Sequence, residues 1–125
     1  MNLVYLDTHI VVWLYEGRMK RLSQEARRSI ERSGTLLVSP IVELELNYMF
    51  RRGRVSSTHV LKDLAGRIGL GVCDLPFSAV TNEALHIGWT EDVFDRLIVA
   101  QAMVRNSKLV SADEVILEKY SQAVW

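Results

Sequence analysis

Cysteine is nearly absent: Cys73 is the single one in 125 residues. No disulfide can form within the chain, and a cysteine-based metal centre has too few ligands. Cys73 sits in the apolar run "LGVCDL", where the expectation is a buried, inert thiol in a strand, because nucleophilic cysteines need a partly exposed, electropositive setting. Proline is scarce too, and no Pro/Gly-rich linker, internal repeat or low-complexity tract divides the chain. One domain over residues 1–125 is the expectation, at a length that supports a hydrophobic core of its own. No apolar run approaches the ~20 residues that a membrane-spanning helix requires. Nor does the start show a basic segment, an apolar stretch and a small-residue cleavage site, so a cytoplasmic protein with no membrane partner is expected. Net charge is also missing. Fifteen basic and fifteen acidic residues cancel, which excludes a polycation built to coat nucleic acid but allows separated patches. Arg18, Lys20, Arg21, Arg27, Arg28 and Arg32 gather in one stretch, and Arg51, Arg52 and Arg54 in another. Glu91, Asp92, Asp95, Asp113, Glu114 and Glu118 lie towards the end.

What is present is an alternation of strands and helices. Residues 2–6 read as a buried strand, and "HIVVWLY" at 9–15 as helix or strand, since a short apolar run fits both. A helix over "LSQEARRSIERSG" has Ser23 as its N-cap and Gly34 just past its end. "TLLVS" at 35–39 is a second strand. Pro40 suits the first turn of a helix reaching about Arg52 and stopped by Gly53. A further helix capped by Ser56 or Ser57 runs to about Ile68, and a third strand covers 70–75. Helices over 77–88 and 92–106 follow, then a strand at 108–113, a short helix, and a last strand at "AVW". Such alternation predicts a parallel sheet covered on both faces, with ligands gathering at the carboxyl ends of its strands.

Acidic residues stand at those ends. "VYLDTH" finishes a strand on Asp7, "VSAD" finishes one on Asp113, and the third predicted strand reaches Asp74. The second hands over to a helix carrying Glu43 and Glu45, two residues apart and hence on different faces. From Glu43 the helical steps reach Asn47, Arg51 and Arg54, all polar. From Glu45 they reach Ile41, Tyr48, Met49 and Arg52, mostly apolar, so Glu45 is the one pressed against the protein body. A carboxylate there is costly unless it is paired or binds a cation. In "EDVFDRLIVAQAMV", Asp92 suits an N-cap, whereas Asp95 belongs to a helix that Leu97, Ile98, Val99, Ala100 and Ala102 mark as buried. Carboxylates converging on one sheet edge repel one another, and a hard divalent cation relieves that repulsion. Mg²⁺ and Mn²⁺ prefer carboxylate and water ligands, and phosphodiester cleavage is a chemistry that suits such a site.

The segments "YLDTHIVVWL", "VSPIVELELNYMFRRGRV", "LGVCDLPF", "GWTEDVFDRLIVAQA" and "LVSADEVI" resemble, in order, the PIN domain, and more narrowly the VapC-type toxins of bacterial toxin–antitoxin pairs. The resemblance runs from about residue 3 to residue 118. It implies a three-layer α/β/α sandwich around a mainly parallel sheet of four to five strands, and an endoribonuclease dependent on Mg²⁺ (or Mn²⁺). By the same resemblance the acids that hold metal and carry catalysis are Asp7, Glu45, Asp95 and Asp113, with Thr8 and Asp92 in support. Arg51, Arg52, Arg54 and Arg96 would contact RNA phosphates. An RNA substrate, a VapB-type antitoxin and a homodimer are the implied partners. Where relatives read D-P-F-D-R, this chain has Val93 in place of the proline, which alters no ligand.

His9, Trp13, Trp89 and Trp125 are read as structural, the tryptophans as buried packing, although they suit base stacking. "HIVVWLY" and "LELNYMF" hold more apolar surface than one small sheet needs, which points to partner contacts. Two rivals remain. A phosphoaspartyl enzyme of the haloacid dehalogenase type wants an acid two residues after Asp7, where His9 stands. A non-catalytic RNA- or protein-binding module of the same fold would have little reason to keep four costly buried acids.

Overall fold

The computed structural model describes residues 2–125. Five strands form one sheet in the order β3-β2-β1-β4-β5, and every neighbouring pair is parallel. The strands are β1 (Leu3–Leu6), β2 (Thr35–Val38), β3 (Gly71–Val72), β4 (Lys108–Val110) and β5 (Ala123–Val124). Seven α-helices complete the described residues: α1 (Thr8–Tyr15), α2 (Gln24–Glu31), α3 (Pro40–Arg51), α4 (Val60–Ile68), α5 (Phe77–Ala84), α6 (Val93–Val104) and α7 (Glu114–Lys119). The result is the three-layer α/β/α arrangement that the alternation of elements predicts.

β1 is the central strand, so Val4, Tyr5 and Leu6 are buried from both faces, as a parallel interior strand requires. "HIVVWLY" resolves as helix because Asp7 caps it: the Asp7 side chain accepts the Thr8 N–H. Its Ile10, Val11, Val12 and Leu14 are all buried. The apolar surface expected on this segment is therefore spent inside the molecule, against α3 and α4. α3 differs, with Val42, Leu46 and Met49 turned inward and Leu44, Tyr48 and Phe50 exposed. Ser39 caps α3 with Pro40 in its first turn, Ser23 caps α2, and Gly53 turns the chain after α3 at φ +72°, where a side chain would be strained.

Several boundaries move from their predicted positions. β3 is only two residues long, so Cys73 lies just past it. Its N–H still donates to the Val38 carbonyl at 2.9 Å, and its thiol is buried against the Tyr5 hydroxyl at 3.1 Å. α4 starts at Val60 after His59, with no side-chain cap, because Ser57 instead accepts the His59 N–H in a local turn. α5 ends at Ala84, short of the predicted residue 88, where Leu85 begins a turn into the loop before α6. None of the α-helices is long and apolar enough to cross a membrane.

Candidate active site

The parallel sheet aims β1 and β4 the same way, and their carboxyl ends meet. The Asp7 N–H extends the pairing by donating to the Val110 carbonyl at 3.0 Å, so the next side chains of both strands lie together. There Ser111 Oγ donates to Asp7 Oδ2 at 2.7 Å. The other Asp7 oxygen accepts the Thr8 N–H at 2.8 Å. Although Asp7 is only 6% exposed, both carboxylate oxygens are thus engaged, and the start of α1 favours negative charge.

Four further acids arrive from three helices, Glu45 from the middle of α3 and the others from the starts of α6 and α7. Glu45, on the inward-leaning face of α3, accepts the Thr8 hydroxyl at 2.5 Å. Glu43 points elsewhere, exposed and lining a different cavity, as its all-polar helix face requires. Asp92 caps α6 by accepting the Asp95 N–H at 3.1 Å, which leaves the Asp95 carboxylate in the first turn free to project. Asp113 caps α7 by accepting the N–H groups of Val115 and Ile116, and its own N–H donates to Ser111 Oγ at 3.1 Å. Asp7, Glu45, Asp92, Asp95 and Asp113, with His9, Trp13 and Ala112, line one cavity of about 320 Å³. No lysine or arginine is among them.

The electrostatics follow from that composition. Burial pushes the Asp7 carboxyl above the ordinary carboxylate range, against the opposing pull of its Ser111 and Thr8 hydrogen bonds. Burial likewise raises Glu45, offset in part by Thr8. Asp95 is pushed up to about 7, first by burial and then by the charges of Asp7, Asp92, Asp113 and Glu45. Carboxylates raised by one another are the environment a divalent cation relieves. The donors are hard oxygens, which suit Mg²⁺ or Mn²⁺ rather than a softer metal. Yet among the described residues no group of three or more histidine, cysteine, aspartate or glutamate side chains is arranged to hold a metal ion outright.

The remaining sequence expectations divide. Thr8, expected in support, bridges the first strand end to α3 through its hydroxyl. Arg51, Arg52 and Arg54 are exposed at the far end of α3, with the Arg52 guanidinium 5.0 Å from the Tyr48 ring centroid. Arg96 is not brought to the cavity; it donates to the Ala84 carbonyl at 3.0 Å and so braces the end of α5. Asp74, at the end of the predicted third strand, is exposed and does not line the cavity. His9 and Trp13, read as structural, do line it. Ser111 is the residue that sequence reasoning misses, although its place in "VSAD", two residues before Asp113, is the signal that it shares the strand end.

A cleft of clustered carboxylates at the carboxyl edge of a parallel sheet, reached from four separate segments, defines a class. The PIN domain model matches residues 4–121, and the chain belongs to the PIN domain family. Within that family it is of the VapC type. It is 31% identical over 118 residues to ribonuclease VapC22 of Mycobacterium tuberculosis, covering 90% of this chain and 88% of the relative. Its fold is similar to that in the crystal structure of VapBC2 from Rickettsia felis bound to a DNA fragment from their promoter. There the TM-score is 0.69 at 17% identity, over 98% of this chain and 96% of the other.

Proposed function

We propose that this protein is a Mg²⁺- or Mn²⁺-dependent endoribonuclease, the toxin of a toxin–antitoxin pair. The observation that carries the reading is the cavity of five carboxylates without a compensating cation at the ends of β1 and β4. The ribonuclease name of its mycobacterial relative supports the activity, and the rickettsial VapBC2 complex supports a VapB-type antitoxin as partner.

Asp7, Glu45 and Asp95 would hold the cation, directly and through water, with Asp113 in support. Bound there, it would supply Lewis acidity to the scissile phosphate and lower the pKa of water. The chain's own residues do the rest. Ser111 and the Thr8 N–H fix the Asp7 carboxylate from both sides, so it is preorganised before a ligand arrives. The Thr8 hydroxyl does the same for Glu45. A carboxylate of the cluster would accept the proton from the attacking water. As the new P–O bond to that water forms, the bond to the leaving ribose oxygen breaks. The exposed Arg51, Arg52 and Arg54 would meet RNA phosphates away from the reacting centre, a contact that carries no sequence information.

A homodimer in the cytoplasm completes the proposal. Its support is the exposed apolar set Leu44, Phe77, Leu85 and Val93, of which Leu44 and Phe77 share one apolar cavity with Ile41 and Val80. Patches of that kind mark association surfaces. The test is cleavage of a mixed RNA pool with Mg²⁺ or Mn²⁺ and with a chelator, comparing the native chain with a folded Asp7→Asn variant. Metal-dependent cutting that the variant lacks is expected; equal cutting by both would refute the assignment.

A further inference from the structure

Two residues lining the acidic cavity carry aromatic rings. His9 and Trp13 both belong to α1 and stand four residues apart, so they lie one above the other on a single helix face. Their ring centroids are 6.4 Å apart with planes tilted by 55°. The aliphatic side chains of this helix, Ile10, Val11, Val12 and Leu14, are buried in the core. His9 is exposed and Trp13 only partly buried. The Trp13 ring packs against the core on one side, yet part of it stays exposed at the rim of the polar cavity. The ring is steadied from within the fold: Trp125 packs on it at 6.0 Å between centroids, and the Arg21 guanidinium lies 5.7 Å from its centroid.

An RNA strand approaching this cavity meets five carboxylates, which repel its phosphates. A cation held there would draw in only the scissile phosphate; the neighbouring nucleotide still needs an attraction that does not depend on charge. Stacking of a base on an aromatic ring is such an attraction, and it tolerates any sequence because every base has a π-face. Arg21, beside the same ring, supplies a cation for a flanking phosphate. We propose that the His9–Trp13 wall is a stacking site for an unpaired nucleobase next to the scissile phosphate. This inference rests on the ribonuclease reading of the cavity and adds a positioning role for Trp13.

The test is the anisotropy of a fluorescein-labelled, mixed-sequence single-stranded RNA titrated with the full chain in an Asp95→Asn background, so that the probe survives, with Mg²⁺ present. Trp13→Leu should weaken binding about tenfold, equivalent to ~1.4 kcal/mol, while Trp13→Phe, which keeps a ring, should stay within about threefold. A probe of the same length made of abasic sugar–phosphate units should bind the parent and Trp13→Leu alike. Equal binding of the mixed-sequence probe by parent and Trp13→Leu overturns the stacking site, as does an equal loss on both probes. Should the leucine variant melt early, the parent's own preference for the base-bearing over the abasic probe decides, and a ratio near one overturns the proposal. The ribonuclease reading is judged apart, by Mg²⁺-dependent cleavage with the unsubstituted chain. A protein that binds through Trp13 but cuts no RNA would sink that reading and leave the stacking site standing.

Discussion

At the amino ends of β1 and β4, Leu3 and Lys108 border a cavity with Asn2, Arg105, Asn106, Ser107 and Gln122. At the carboxyl ends of the same two strands lies the acidic cavity. The first is polar, its only charges are the two cations, and its groups are used structurally: the Tyr120 hydroxyl donates to the Ser107 carbonyl at 2.5 Å. Behind that cavity, burial raises the Tyr120 phenol to about 12, far from any pH at which the protein works. The second concentrates five carboxylates and no lysine or arginine, and raises Asp7, Glu45 and Asp95 together. Nothing in folding favours burying like charges side by side. The contrast supports the proposal that the carboxyl edge receives a neutralising cation, since perturbed groups concentrate at functional sites.

The sharpest way to break the contrast is at Asp7. Asp7→Asn keeps the shape but removes one charge and should lower RNA cleavage by roughly 10²–10³, the scale seen when a preorganised electrostatic group is lost. Melting temperature, followed alongside, shows whether the variant still folds. Ser111→Ala and Thr8→Val act one step out, on the groups that orient Asp7 and Glu45. Each should cost about 10–100-fold in activity or metal affinity, read as kcat and as the Mg²⁺ concentration giving half activity.

A third prediction concerns stability against pH. Because Asp95 has its pKa raised to about 7 in the folded chain, the folded state holds a proton that the unfolded state has already lost between pH ~4 and ~7. Its contribution is thus favourable at the acid end and declines as pH rises through that window. The metal-free chain should melt lower at pH 7.5 than at pH 5.5, Mg²⁺ should recover more of the loss at the higher pH, and Asp95→Asn should flatten the dependence. The smallest effect belongs to the opposite edge. Tyr120→Phe should cost about 1 kcal/mol of stability, the usual worth of one hydrogen bond, measured by urea denaturation, with RNA cleavage unchanged.

Much of this organisation is legible in the sequence alone. Asp7 and Asp113 are conspicuous because a charge ends an apolar strand, and Glu45 separates from Glu43 because helical steps from it land on apolar residues. The structure does bring those acids and Asp95 into one cavity. Hydrogen-bond partners are not legible: Ser111 and Asp7 are 104 residues apart in the chain, and no periodicity links them. Arg96 looks available because a cation beside an acidic site invites that role, yet its carbonyl partner lies on a neighbouring helix end. "HIVVWLY" misleads in a different way, since an all-apolar run does not say whether its surface faces a partner or its own core. Only the packing of α3 and α4 over it decides.

The most direct test of a cation-receiving edge is calorimetric titration of Mn²⁺ into the purified chain at pH 7.5, repeated at pH 5.5 and with Asp7→Asn. Binding is predicted at the higher pH, with a marked weakening at the lower one as Asp95 takes up its proton, and loss in the variant. No binding by the native chain, or binding that neither pH nor Asp7→Asn alters, would contradict the claim that the carboxyl edge of the sheet is built to receive a cation.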